Sequence, residues 1–238
     1  MAVNFQPIYI LASGGERALE QLDTTTNNLA NVNTPGFKKL LLKEMSQKIP
    51  DNQGQSKELF VFPRFEKTPV VIAQGSLKKT DRPLDLAIDG EGFFQVRFQN
   101  QIFLTRNGHF KLDSTGILVD VNSNPVLDTQ GKVIKLNSTE NVTITKDGSI
   151  YQNNELVAKL SIVNYQSVKP IGESYYAPSS SQTNASYEIH QGFLENSNVN
   201  PIKAMTELIN AQRRMEMYGN LMKALDSVEQ KSIEIGRA

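Results

Sequence analysis

The segment from Asn198 to Ala238 constrains the fold more than any other part of the chain. Asn200 followed by Pro201 reads as a helix start. The Asn side chain can accept from a free N–H of the first turn, and Pro at the first helical position gives up a donor that had no partner. Beyond it, Ala204, Leu208, Ala211, Met215, Tyr218, Met222 and Leu225 recur in three-four spacing, flanked by Ile202, Met205 and Ile209. That is one apolar stripe, long enough for a coiled-coil seam. Lys203, Glu207, Arg213, Arg214, Glu216, Lys223, Asp226 and Glu229 give the rest of the helix a charged face. Such a helix needs a partner surface.

The N-terminal segment supplies one. Ile8, Leu11, Gly15, Ala18, Leu22, Thr25, Leu29 and Val32 form a second three-four stripe. The helix it predicts is weak alone. Gly14 and Gly15 each cost about 1 kcal/mol relative to Ala, and Thr24, Thr25 and Thr26 are β-branched. It should order only against another helix. Thr34-Pro35-Gly36 then stops it, with Pro and Gly as the central pair of a type II turn. Residues 1–37 and 196–238 therefore read as two halves of one coiled-coil-like helical core, with the rest of the chain inserted between them.

Residues 38–82 read as a linker in extended conformation. Leu40 to Lys48 is compatible with helix or strand, and Asp51 to Lys57 is polar and loop-like. Leu59 to Phe65 and Pro69 to Ala73 have strand composition, with Pro63 and Pro69 restricting them to edges. Across residues 83–195 the period becomes two. Leu84, Leu86 and Ile88 alternate, Asp89-Gly90-Glu91-Gly92 turns, and Phe94, Val96 and Phe98 alternate again. Asn107-Gly108 and Asp147-Gly148, each between apolar runs, predict type I′ hairpins. Glu155 to Tyr165 adds a strand, and residues 166–190, rich in Ser, Pro and Asn, read as irregular chain. The fold class is α+β: terminal helices around an inserted, mainly antiparallel β domain.

Composition narrows the function. The 25 basic and 25 acidic residues cancel, so no net field draws in nucleic acid or an anionic membrane. There is no cysteine, hence no thiolate metal site or disulfide. No apolar run is long enough for a membrane-spanning helix, and the N-terminus lacks the pattern of a cleaved signal. His109 and His190 lie in polar surroundings without a nucleophile motif, so surface histidines are the expectation. Asp120-x-Asn122-x-Asn124 begins like a calcium loop, but Pro125 stands where that loop needs Gly and Gly131 where it needs Glu. Neither cofactor, metal nor small-molecule substrate is expected.

The stretch Asn27-Asn28-Leu29-Ala30-Asn31-Val32-Asn33-Thr34-Pro35-Gly36-Phe37-Lys38 resembles the N-terminal signature of bacterial flagellar rod and hook proteins. Three further stretches are similar to that family, in its order. They are Gln74-Gly75-Ser76-Leu77 with Thr80 and Pro83-Leu84-Asp85; Gly90-Glu91-Gly92-Phe93-Phe94 with Thr105-Arg106-Asn107-Gly108; and Gly192 to Val199. The resemblance implies an axial structural subunit whose terminal helices pack in the inner tube of the rod, with the β domain outside. Chain length points to the two mid-sized rod members, and of these Arg82-Pro83-Leu84-Asp85 and Arg213-Arg214-Met215-Glu216-Met217 look more like the proximal member, lettered F, than the distal one, lettered G.

It further implies export through the flagellar type III channel without a cleaved signal, periplasmic location in the basal body, and other rod proteins as partners beside self-association. On this reading the assembly faces are Leu11, Leu22, Asn27, Asn28, Leu29, Asn31, Thr34, Pro35, Gly36 and Phe37 at the N-terminal helix and turn. At the C-terminal helix they are Ile202, Met205, Leu208, Ile209, Arg213, Met215, Met222 and Leu225. The asparagines are expected to fix the turn and neighbouring subunits rather than bind a ligand. The rival class is a periplasmic binding module whose β domain grips a ligand while its helices only dimerise it. Some thirty paired residues at about 1.5 Å each is more seam than such tethering needs.

Overall fold

The C-terminal helix starts where its cap places it. Asn200 Oδ1 accepts from the Lys203 N–H at 3.0 Å, and the Asn200 carbonyl accepts from Ala204 at 2.9 Å. The computed structural model describes residues 6–48, 61–66, 70–99, 101–172 and 174–235. The polar stretch 51–57 lies outside them.

Two compact units divide the chain. One contains Met1–Leu29, Leu40–Thr68 and Asn200–Ala238. Within it α1 runs from Gln6 to Ala30 and α2 from Pro201 to Ile235, 35 residues that pass through Gly219 unbroken. Gly14, Ala18, Thr25 and Asn28 are the buried positions of α1. Their three-four spacing is the one expected, with the stripe centred on Gly14 and Asn28 rather than on Gly15 and Leu29. In α2 Ala204 and Ala211 are buried, while Leu208, Tyr218 and Leu225 are half-buried. The residues between Leu40 and Lys48 resolve as strand: β1 (Lys43–Lys48) pairs antiparallel with β2 (Val61–Glu66), and Pro63 stands opposite Ser46.

The other unit contains Ala30–Lys39 and Pro69–Val199. It is a layered antiparallel β structure. Its strands are β3 (Leu77–Lys79), β4 (Leu86–Gly90), β5 (Phe93–Phe98), β6 (Gln101–Thr105), β7 (Lys111–Leu112), β8 (Leu118–Val119), β9 (Val142–Ile144), β10 (Ser149–Gln152) and β11 (Glu155–Lys159). Then follow β12 (Ile162–Tyr165), β13 (Val168–Gly172), β14 (Tyr175–Pro178), β15 (Gln182–Thr183), β16 (Tyr187–Gln191) and β17 (Phe193–Glu195). A six-stranded sheet has the order β13-β14-β6-β5-β12-β15, and a three-stranded sheet the order β11-β10-β9. The pairs β16-β4, β17-β3 and β7-β8 complete it. Leu86, Ile88, Phe94, Val96, Phe110 and Ile150 anchor the main apolar cluster, and Phe93, Leu104 and Tyr176 a second.

Four local expectations are corrected. Asn107-Gly108 makes no hairpin: β6 pairs with β5 and β14, and β7 with β8. Gly108 is there for proximity, since a Cβ on it would lie 1.7 Å from the Leu86 carbonyl oxygen. Asp147-Gly148 does close a hairpin, but only Gly148 has positive φ. The Gly148 N–H donates to the Thr145 carbonyl and the Thr145 N–H to Ser149, a turn ending in a bulge. Residues 166–190 are not irregular; they hold β13, β14, β15 and the start of β16. Pro170 is accommodated because β13 is an edge strand. Glu155 to Tyr165 is two strands in two different sheets.

Candidate functional site: a buried clasp at the helix roots

The chain leaving α1 turns at Thr34-Pro35-Gly36. Phe37 donates to the Thr34 carbonyl at 3.2 Å, and Gly36 has φ +69°, as a type II turn demands. Glycine is required there twice over, because a Cβ would lie 2.2 Å from the Arg106 carbonyl carbon. The Gly36 N–H donates to the Glu195 carbonyl at 2.7 Å. This joins the turn to β17, the strand that leads toward α2.

Side chains complete the junction. Lys38, Arg106 and Glu195 are all at most 1% exposed. Lys38 Nζ meets Glu195 Oε1 at 2.5 Å and donates to the Ala73 carbonyl at 2.9 Å. Arg106 Nη1 meets Glu195 Oε2 at 3.2 Å. The Gly75 N–H donates to Glu195 Oε1 at 2.7 Å. Two cations thus share one carboxylate, and the surplus charge is met by carbonyls: Arg106 donates to Ile88 and Gly90 and lies 5.3 Å over the Phe93 ring. Burial lowers the pKa of both Lys38 and Arg106, while the Glu195 carboxylate opposes that shift. The Lys38 N–H donates to the Tyr176 hydroxyl at 3.0 Å, and burial raises that phenol's pKa. Asn198 closes the lower side. Its Oδ1 accepts from the Lys39 N–H at 2.7 Å, and its Nδ2 donates to the Val71 and Ala73 carbonyls.

The clasp therefore gathers residues from every stretch that carries the family resemblance. Every oxygen of Glu195 is engaged by the protein. The charges of the clasp hold chain segments together. Removing one partner of such a buried group typically costs about 3–5 kcal/mol, because it strands an opposite charge.

The expected assembly residues fall into two sets. Asn28 is buried and uses both amide atoms on one residue: Nδ2 donates to the Leu40 carbonyl at 2.9 Å, and Oδ1 accepts from the Leu40 N–H at 2.8 Å. Asn31 Oδ1 accepts from Thr34 Oγ1 at 3.2 Å. Phe37 and Gly36 are buried, Leu11, Leu22, Leu29, Thr34 and Pro35 half-buried, and Asn27 exposed. On α2, Leu208 and Leu225 are half-buried, whereas Ile202, Met205, Ile209, Arg213, Met215 and Met222 are exposed. Ile202 is 77% exposed, Met205 52% and Ile209 49%, an apolar face one turn apart on the side away from Ala204 and Ala211. The sequence reading missed Lys38, Arg106 and Glu195. Each is a charged residue inside one of the family-like stretches, but flanks such as Thr105 and Asn107 around Arg106, or Lys39 after Lys38, give no local sign of burial.

The remaining polar clusters are structural. Asp120 Oδ1 accepts from the N–H groups of Asn122 and Asn124, and its other oxygen takes the Tyr175 hydroxyl. His109 Nδ1 lies 2.9 Å from Asp85, and His190 lies 3.5 Å from Asp89.

Three families match the chain in succession. Residues 8–38 match the flagella basal body rod protein family, residues 87–152 the flagellar hook protein FlgE/F/G D1 domain, and residues 190–235 the flagellar basal body rod FlgEFG protein C-terminal family. The flagellar basal-body rod protein FlgF of Mesorhizobium japonicum is 33% identical over 233 residues, covering 94% of this chain and 95% of that protein. FlgF of Caulobacter vibrioides is 32% identical, covering 95% and 96%. The flagellar basal-body rod protein FlgG of Bacillus subtilis is 29% identical, covering 97% and 98%.

Proposed function

Because the chain belongs to the flagellar basal-body rod protein family and is a structural component of the rod, we propose that it sits in the proximal part of the rod and helps carry torque through the periplasm. The observation that carries an assembly role is the exposed apolar face of α2, Ile202, Met205 and Ile209. Burying side chains of this kind is worth roughly 1.5–3 kcal/mol each, so neighbours that cover them gain directly. That face, extended by Arg213, is the proposed contact with neighbouring rod subunits, together with the exposed parts of Met215 and Met222 on the Ala204–Ala211 side of α2 and with Leu11, Leu22 and Asn27 of α1. Leu208, Leu225 and Leu29 are half-buried within their own unit, and Asn28, Asn31 and the turn Thr34 to Phe37 are proposed to fix the chain locally where it leaves α1.

With the F member of the family taken as proximal and the G member as distal, as the resemblance implies, the proximal position is supported by the FlgF relatives at 32–33% identity, against 29% for the FlgG relative. Passage through the flagellar export channel belongs to the same proposal. A distal position is the second reading. A tagged copy of the chain, located by electron microscopy in isolated basal bodies, tests the choice. Label at the inner-membrane end of the rod supports the proposal; label at the hook end overturns it in favour of the distal position. The periplasmic binding module would leave basal bodies unlabelled.

A further inference from the structure

Two unassigned features of the β domain are complementary. The first is a cleft of about 390 Å³ with an apolar floor of Pro83, Leu84, Phe110 and Leu112 and a cationic rim of Arg82 and Lys111. Lys111 Nζ donates to the Val121 carbonyl at 3.1 Å, so its charge faces a dipole rather than a carboxylate. Arg82 Nη1 lies 3.2 Å from His109 Nε2, and its Nε is 3.9 Å from the buried Asp85. The rim retains positive charge above a greasy floor.

The second is the free edge of β11. Glu155, Leu156 and Val157 are all exposed there, Leu156 at 61% and Val157 at 42%. Beyond them the edge is already used, since the Lys159 carbonyl accepts from Thr129 and Ser161 donates to Leu127. An unpaired edge with adjacent aliphatic side chains is a surface that asks for cover. It presents an acid followed by two aliphatics, the chemistry that a cationic rim over an apolar floor accepts.

We propose that the β11 edge of one copy docks into the Arg82–Lys111 cleft of the next copy, with Leu156 on the floor and Glu155 on the rim; this rests on the rod-subunit reading. The two patches differ, so the contact is heterologous and leaves one cleft and one edge free at each end. That is the geometry of an open array rather than a closed dimer. Charge complementarity fixes the register and excludes like-charged partners.

The test uses the full chain in a flagellated cell. One copy carries a photo-crosslinking residue at Leu156, a second carries an affinity tag, and basal bodies are isolated before illumination. The expected product joins Leu156 to the peptide around Lys111 of the tagged copy. Lys111→Glu or Glu155→Lys alone should lower its yield about tenfold or more, as like charges meet at an interface. The double reversal should restore it. Both sites are exposed, and circular dichroism of each variant checks that it folds. Incorporation without this crosslink, or a crosslink from Leu156 to a different protein, overturns the proposal and leaves the rod reading standing. Absence of the chain from basal bodies removes both.

Discussion

Gly14 faces the ring of Tyr218: a Cβ on Gly14 would lie 2.5 Å from Tyr218 Cε1 and 2.7 Å from Cζ. What reads in sequence as a defect of α1 is a notch that admits an aromatic ring from α2. The neighbouring Gly15 differs, with Met222 and Tyr218 atoms at an ordinary 3.9 Å. Gly15→Ala should therefore stabilise the helix pair by up to about 1 kcal/mol, the propensity difference. Gly14→Ala should lose more than it gains by displacing the ring, and adding Tyr218→Ser should recover the loss. Thermal unfolding followed by helical ellipticity checks the order of the three variants.

The clasp predicts an asymmetry between its charges. Glu195→Gln leaves Lys38 and Arg106 buried without their shared carboxylate, and should cost about 3–5 kcal/mol. Lys38→Met leaves the Arg106–Glu195 pair and the Gly75 N–H bond in place, and should cost clearly less. Urea unfolding of the full chain measures both. Equal losses would mean that Glu195 is not the hub.

Asn28→Ala removes two hydrogen bonds to Leu40 and leaves that residue's N–H and carbonyl without their partner. Roughly 1–3 kcal/mol should be lost for each group left unsatisfied. Combined with Asn31→Ala, it should lower incorporation into basal bodies. Normal incorporation of the double variant would remove the role assigned to the asparagines.

Asp147 gives a pH signature. Hydrogen bonds from Thr145, Lys159 and Ser149 hold its carboxyl well below the ordinary 3.8. Its pKa is depressed on folding, so its contribution is present above 3.8 and is lost as pH falls from there through the folded value. An Asp147→Asn variant should be less stable than the parent at neutral pH. It should also show a flatter decline below pH 3.8, read from acid titration of the folded signal.

The helices, their cap at Asn200 and the turn at Pro35-Gly36 were legible because each rests on local chemistry: period, capping and φ. The clasp was not. Lys38, Arg106 and Glu195 look like surface residues in sequence, and only long-range pairing, 157 residues apart for Lys38 and Glu195, buries them. Gly108 misled for the same reason: an Asn-Gly pair has one meaning in a turn and another where a distant carbonyl passes close. The strands of residues 168–191 were missed because the Pro that signals a loop is tolerated at Pro170 in the edge strand β13, and at Pro178 where β14 runs beyond its pairing with β6.

Oxidative footprinting of methionines tests the central claim most directly. Met205 and Met215, both among the proposed contact residues, are 52% and 40% exposed on α2 of the single chain. If that helix supplies the assembly face, both should oxidise readily in the purified subunit and be protected in isolated basal bodies. Equal oxidation in the two states would mean that the apolar face of α2 stays uncovered in the rod, which would contradict the account.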